Sequence, residues 1–270
     1  MHDLLSYAVL GLVQGLTEFL PVSSSGHLVL AHELLGVTEL GLSVDAVLQL
    51  ATALAIIVYF WKDLLRFLYA VLNRLTGRPY NEDDLRLAIS LIVGTIPALI
   101  LGLLLEDLME TTFRDPSLVA YALIAGSAVI LGAELISKRY KEQKQLSGMS
   151  LSKGFMIGIF QSLALIPGMS RSGMTISGGL FLGLSREAAA RFGFLLAVPI
   201  IAGSGLKKLL ELGVGGELTM LGAQLLLGSV ISFVSGLAAI HFLLIFLRTQ
   251  PLYAFIVYRL LLAGAILFFL

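Results

Sequence analysis

The order of residues points to an all-α polytopic membrane protein, with six transmembrane helices and two re-entrant helix-loop-helix hairpins in an inverted-topology internal repeat. Composition comes first: of 270 residues 57% are hydrophobic and 13% charged, and mean hydropathy is +0.94, against roughly 45–50% apolar in soluble domains. Second, stretches of about 17 to 25 apolar residues recur, each long enough to cross a hydrocarbon core of roughly 30 Å as a helix. Third, two further apolar stretches are broken near their middles by the similar runs "PVSSSGH" and "PGMSRSG".

The six spans read Val44 to Phe60, Leu87 to Leu105, Leu118 to Ile136, Phe192 to Leu206, Leu221 to Leu247 and Leu252 to Leu270. The broken stretches run from Leu4 to Leu35 and from Phe155 to Leu184, with arms short for a full crossing. Irregular backbone at membrane depth is tolerated only where protein buries it or it lines a wet cavity, so each is expected to be a re-entrant hairpin. A shift of 147 residues lays Gln14 on Gln161, Ser23 on Ser170, Ser25 on Ser172 and Gly26 on Gly173, while Pro21 and Pro167 miss by one. With gaps, Lys62 falls near Lys208, Gly94 near Gly228, Gly102 near Gly236 and Pro116 near Pro251. The chain therefore divides into a first half, residues 1–146, and a second, residues 147–270. One hairpin plus three spans is an odd number of crossings, so the second half is expected to be inverted, a plan shared with many transporters.

Met1 to Leu20 carries His2, Asp3 and Glu18 and no small-residue cleavage site, so the N-terminus is expected to stay attached. No cysteine is present, which excludes disulfides, thiolate metal sites and cysteine nucleophiles. Net charge is zero and no basic cluster interleaves with aromatics, which argues against nucleic acid as a partner. On the proposed topology Lys62, Arg66, Arg74, Arg78, Arg86, Lys138, Arg139, Lys141, Lys144, Lys153, Arg186, Arg191 and Arg248 share a side, opposed by Arg114, Lys207 and Lys208. The positive-inside rule places the first group in the cytoplasm and both termini outside. Glu106, Asp107, Glu110 and Asp115 fall on the outer side.

Ionisable groups inside the bilayer are costly, and Glu18, His27 and Arg171 stand out as functional candidates. Gln14 and Glu18 lie four apart, on one helix face, where carboxylate and amide oxygens suit Mg²⁺ or Ca²⁺. The second arms of the hairpins begin near His27 and Met174, so two helix N-termini converge on the loops. Their free N–H groups favour an anion, Gly26 and Gly173 permit close backbone approach, and Arg171 offers a bidentate fork for phosphate. Ser23, Ser24, Ser25, Ser170, Ser172 and Thr175 add hydroxyls. The bland alternatives are packing roles for single serines, an internally bonded His27 and a purely structural Arg171–Glu18 pair. Arg259, inside the last span, either braces Glu18 or substrate, snorkels, or is structural. His241, Glu134 and Asp45 read as structural, and His2, His32 and Glu33 as near a surface.

At these residues the chain closely resembles the undecaprenyl-diphosphate phosphatase family of the bacitracin-resistance type. "QGLTE" at Gln14 to Glu18, followed by "FLPVSSSGH", is similar to its first motif, "PGMSRSGMT" at Pro167 to Thr175 to its second, and "FLLAVP" extends the match. The resemblance implies a hydrolase that removes the terminal phosphate of the C55 isoprenoid diphosphate, on the outer side of the cytoplasmic membrane and with a divalent cation. It implies functional roles for Gln14, Glu18, Ser24, His27, Ser170, Arg171, Ser172 and Thr175. Many members carry glutamate where this chain has Gln14, which shifts metal charge compensation towards Glu18 or weakens metal dependence. Ser24 is the leading nucleophile, with His27 or Glu18 as base; His27 itself, or activated water, are the alternatives. The competing class is a polyprenyl-phosphate flippase on the same frame, and a homodimer accords with the many Gly, Ala and Ser positions.

Overall fold

The structure, a computed structural model, describes residues 4–36, 41–105, 115–140, 142–147, 149–215 and 217–269, without the side chains of 41–43, 208, 211, 212, 214, 215 and 217–221. His2, Glu106, Asp107, Glu110, Arg114, Lys141 and the side chain of Lys208 lie outside the described residues. Among the described residues every regular element is helical: α1 Leu4–Phe19, α2 Ser24–Leu35, α3 Gly41–Tyr59, α4 Trp61–Leu75, α5 Glu82–Leu104, α6 Pro116–Ser137, α7 Leu151–Leu163, α8 Arg171–Phe181, α9 Arg186–Gly215, α10 Glu217–Thr249 and α11 Tyr253–Phe269.

Both broken stretches fold as helix-loop-helix, α1–α2 and α7–α8, interrupted at the two Ser-rich runs. The other boundaries follow capping chemistry more than hydropathy. α5 starts ahead of the apolar run because the Asn81 side chain accepts from Asp83 N and Asp84 N, and three acidic residues occupy the positive first turn. Asp115 caps α6 in the same way, with Pro116 in its first turn.

Among the described residues four helices are long and apolar enough to cross a membrane: α5, α6, α9 over Arg186–Lys207 and α10 over Gly222–Thr249. The pair α3–α4, bent by 74°, is a fifth candidate, while α1 and α11 are shorter apolar helices. The expected count of six is therefore met only in part, and Leu252 to Leu270 becomes a helix of 17 residues. The sequence reading also left α4 unassigned. It alternates Lys62, Asp63, Arg66 and Arg74 with exposed Trp61, Leu65, Leu68 and Leu72, so its signal is helical periodicity and not an apolar run.

Two helix pairs pack with backbones nearly touching, α1 along α10 and α7 along α5. A Cβ at Gly11 would overlap the Gly228 carbonyl, and one at Gly158 would overlap the Gly94 carbonyl. Small residues at such crossings are how membrane helices gain van der Waals contact when lipid offers no hydrophobic driving force. The main core gathers Phe19, Phe60, Ile157, Met174, Phe192 and Phe194 around α8 and α9, placing both loops inside protein.

Two of the basic residues assigned to one side, Arg66 and Arg191, lie close together. Arg66 and Arg191 line a cavity of about 660 Å³ with Asp63, Asp84 and Glu187, in which Arg191 pairs with Asp63 at 2.9 Å and Arg66 with Asp84 at 2.9 Å. Nearby, Glu134 is fully buried and takes a bidentate pair from Arg186 at 2.7 and 2.6 Å, and also accepts from Leu252 N at 2.9 Å. It fastens α6 to the starts of α9 and α11, the structural role expected of it. Glu134→Ala should cost about 3–5 kcal/mol, because it strands a largely buried guanidinium and an amide. Thermal unfolding of the detergent-solubilised variant reads this as a lower midpoint. Asp45 and His241 are likewise structural, bonded to His32 at 2.8 Å and Tyr59 at 3.0 Å. His32, expected near a surface, has a side chain 13% exposed and holds Asp45.

Candidate active site

The loop after α1 and the loop after α7 reach the same backbone solution. Ser23 (φ 73°, ψ 103°) and Ser170 (φ 75°, ψ 113°) are the positive-φ residues other than glycine among the described residues. Such a conformation costs on the order of 1–3 kcal/mol and persists where surroundings over-determine it. Here each serine Oγ caps the following helix, accepting from Gly26 N at 3.4 Å and Gly173 N at 3.2 Å. The N–H groups of Ser24 and Ser25, and of Arg171 and Ser172, remain at helix starts where no intrahelical carbonyl reaches them.

The loops are also bonded to each other. Ser25 Oγ accepts from Gly168 N at 3.0 Å, and Ser172 Oγ donates to Leu20 O at 3.0 Å. Ser23 Oγ lies 3.0 Å from Ser25 Oγ and Ser170 Oγ lies 3.2 Å from Ser172 Oγ. Arg259 is fully buried and clamps both turns from beneath. Its Nη2 donates to Leu123 O and Gly168 O at 3.0 Å, its Nη1 to Pro21 O at 3.5 Å and its Nε to Ser127 Oγ at 3.0 Å. Arg259 thus holds carbonyl oxygens of both loops and makes no bond to Glu18.

The Glu18 carboxylate, only 8% exposed, is where the candidate residues meet. Oε2 accepts from Gln14 Nε2 at 2.9 Å and from Ser24 Oγ at 2.8 Å, while Oε1 accepts from Arg171 Nη1 at 3.1 Å. Gln14, Glu18, Ser24 and Arg171 therefore form one bonded group spanning both loops. A serine hydroxyl donating to a carboxylate is the arrangement a nucleophile needs for activation, and a guanidinium and helix-start N–H groups are the kinds of group that suit an anion.

Other sequence candidates are placed differently. Thr175 Oγ1 donates to Arg171 O and Ser172 O, at 3.0 and 3.2 Å, within its own helix, and it packs against Gly193. It supports α8 and does not join the Glu18 group. Gly26 and Gly173 contribute tight packing in place of an open backbone: an added Cβ would lie 3.3 Å from Leu123 and 3.1 Å from Ile130, and their N–H groups are already capped. His27 makes no bond to Ser24. Its Nδ1 faces Ser23 O at 2.7 Å and its Nε2 faces the Tyr258 hydroxyl at 2.7 Å.

Tyr258 and Ser127 were missed from sequence. A tyrosine in an apolar helix reads as an interface-belt residue and a serine as packing, and only their adjacency to Arg259, in sequence and in space, marks them. For a divalent cation, no group of three or more His, Asp or Glu gathers among the described residues. Gln14 Oε1, however, is a buried acceptor without a partner beside the Glu18 carboxylate. One carboxylate, one amide oxygen and phosphate oxygens from a ligand make a donor set that fits Mg²⁺.

The apolar helices define a multi-pass membrane protein, and comparison with known proteins gives its class, a phosphatase. The family profile described as bacitracin resistance protein BacA matches residues 7–265, and the chain belongs to that family. Curated relatives named undecaprenyl-diphosphatase include one from Chloroherpeton thalassium, 43% identical over 269 residues covering 96% of this chain and 94% of the relative. Another, from Mycobacterium leprae, is 46% identical over 264 residues, covering 97% and 93%. A third, from Mycolicibacterium smegmatis, is 45% identical over 265 residues, covering 97% and 95%.

Proposed function

We propose that this chain hydrolyses undecaprenyl diphosphate to the monophosphate and inorganic phosphate, returning the lipid carrier to cell-wall synthesis and supporting the bacitracin resistance for which its family is described. The observation that carries the reading is the Glu18 carboxylate held between Ser24 Oγ and Arg171 Nη1, one from each loop. The diphosphate enters the cradle with its terminal phosphate against Arg171 and the N–H groups of both loops, and the prenyl tail stays in lipid. Glu18 takes the proton of Ser24 as Oγ attacks the terminal phosphorus. The bond to the bridging oxygen breaks, prenyl monophosphate leaves, and a phosphoserine forms. Water then attacks that phosphorus and Glu18 returns the proton to Oγ. His27 is not the base in this account, since both its nitrogens are engaged elsewhere.

Gln14 Oε1 and Glu18 would hold Mg²⁺ or Ca²⁺, which supplies charge neutralisation for the diphosphate oxygens. The site sits in the bacterial cytoplasmic membrane and opens to its outer side. An inverted repeat underlies it, with six crossings and two re-entrant hairpins. Support comes from the matched conformations at Ser23 and Ser170 and from the matched crossings of Gly11 on Gly228 and Gly158 on Gly94. The relatives' names favour hydrolysis over a lipid-carrier role on this frame.

The test is inorganic phosphate release from a long-chain prenyl diphosphate by purified protein in detergent, where no transport gradient exists. Release should stop with chelator and return with Mg²⁺ or Ca²⁺. Silence of the native protein across metals and chain lengths would overturn the hydrolase.

A further inference from the structure

α11 presents two consecutive polar side chains to the first loop, and the one after Tyr258 is already the clamp on Pro21 and Gly168. Tyr258 works one residue removed. Its hydroxyl is 2.7 Å from His27 Nε2, and the two rings are near-parallel, 8° apart with centroids at 5.5 Å. On the far side of the imidazole, Nδ1 lies 2.7 Å from Ser23 O. A carbonyl oxygen only accepts, so Nδ1 carries the hydrogen and Nε2 presents the lone pair to the Tyr258 O–H. The chain of bonds ends at Ser23, whose positive φ needs external support and whose C-terminal neighbour is Ser24.

We propose that Tyr258 is a positioning residue of this site: by donating to His27 Nε2 and stacking on its ring it holds the imidazole in place, and the Nδ1–H of that imidazole holds the Ser23 carbonyl and so the strained turn that places Ser24 against Glu18. Without the hydroxyl the Nδ1–H tautomer stays, because Ser23 O still takes that hydrogen, but the ring loses the bond at its Nε2 edge and its hold on Ser23 O loosens. The turn then loses a brace that neither the Ser23 cap nor Arg259 replaces. Tyr258 touches no reacting atom, so the loss falls on how often Ser24 is aligned and not on diphosphate affinity. The catalytic consequence rests on the hydrolase reading, while the consequence for the His27 ring does not.

Two readouts test it, using Tyr258→Phe, which keeps the ring stack and removes only the hydroxyl. The first is ¹⁵N NMR of the imidazoles in the purified full-length protein, which has four histidines, with His27 assigned through His27→Gln. The Nδ1–H tautomer is expected at His27 in both proteins, with the Nδ1 hydrogen exchanging with water markedly faster in the variant. The second is steady-state turnover of a prenyl diphosphate. kcat should fall about 10-fold with KM within about twofold, about what one hydrogen bond is worth, and Tyr258→Phe should add nothing in a His27→Ala background. Nδ1–H exchange as slow in the variant as in the native protein overturns the proposal whether or not the protein turns over. So does a fully additive loss in the double variant. Faster exchange in the variant beside a native protein that releases no phosphate would instead contradict the hydrolase reading.

Discussion

Arg171→Ala should lower kcat/KM for prenyl diphosphate about 10³-fold while the protein still elutes as a folded species. Two losses combine. Among the described residues the guanidinium is the one side-chain cation bonded to the Glu18 carboxylate, and in the proposed reaction it meets charge on the transferring phosphoryl oxygens, a contribution of about 10²–10³ for a single preorganised donor. Its removal also leaves a mostly buried Glu18 carboxylate without its counter-charge, so the bonded group that holds Ser24 loses its link to the second loop. Arg171→Lys should restore only part of the rate, because an ammonium supplies charge without the planar fork. Steady-state kinetics on the three proteins checks this, and a lysine variant equal to native would show that charge alone suffices.

Glu18→Gln should be comparably severe, with kcat down about 10³-fold, within the range for loss of a general base. The amide has the shape of the carboxylate but accepts no proton from Ser24 and gives Arg171 no charge to pair with. Ser24→Ala removes the other end of the same bond, so the double variant should be no slower than the worse single one. Glu18→Gln should also raise the Mg²⁺ or Ca²⁺ concentration needed for half-maximal residual activity, since the remaining ligands are neutral. Turnover measured against metal concentration separates the two effects, and a variant with native kcat would remove Glu18 from the chemistry.

Much of this site was legible because polar residues inside apolar stretches are few and their cost demands a reason. Glu18, Arg171 and the two Ser-rich interruptions could be singled out on that ground, and the structure brings Gln14, Glu18, Ser24 and Arg171 into one bonded group. Residues whose direction depends on a helix's rotation were not legible. Thr175 sits in a matching motif yet turns to its own backbone carbonyls, a choice that sequence spacing does not encode. His27 lies three residues beyond Ser24, near enough to serve as its base, but the Ser23 carbonyl and Tyr258 take both its nitrogens. Arg259 was visible as a charge, while its partners were not, because they are backbone oxygens of Pro21, Leu123 and Gly168, far apart in sequence, and the Ser127 hydroxyl. In the fold, apolar runs located the long helices, and the amphipathic α4 escaped because its signal is periodic.

The central claim is that one diphosphate site is made jointly by two loops from opposite halves of the chain. Its most direct measurement is the affinity of purified protein for a methylene-bridged, non-hydrolysable prenyl diphosphate, compared among native, Ser24→Ala, Arg171→Ala and the double variant. The account predicts that a substitution in either loop weakens binding and that the double loss falls short of the product of the singles, since both groups act on one ligand through Glu18. Native affinity in either single variant would contradict a shared site.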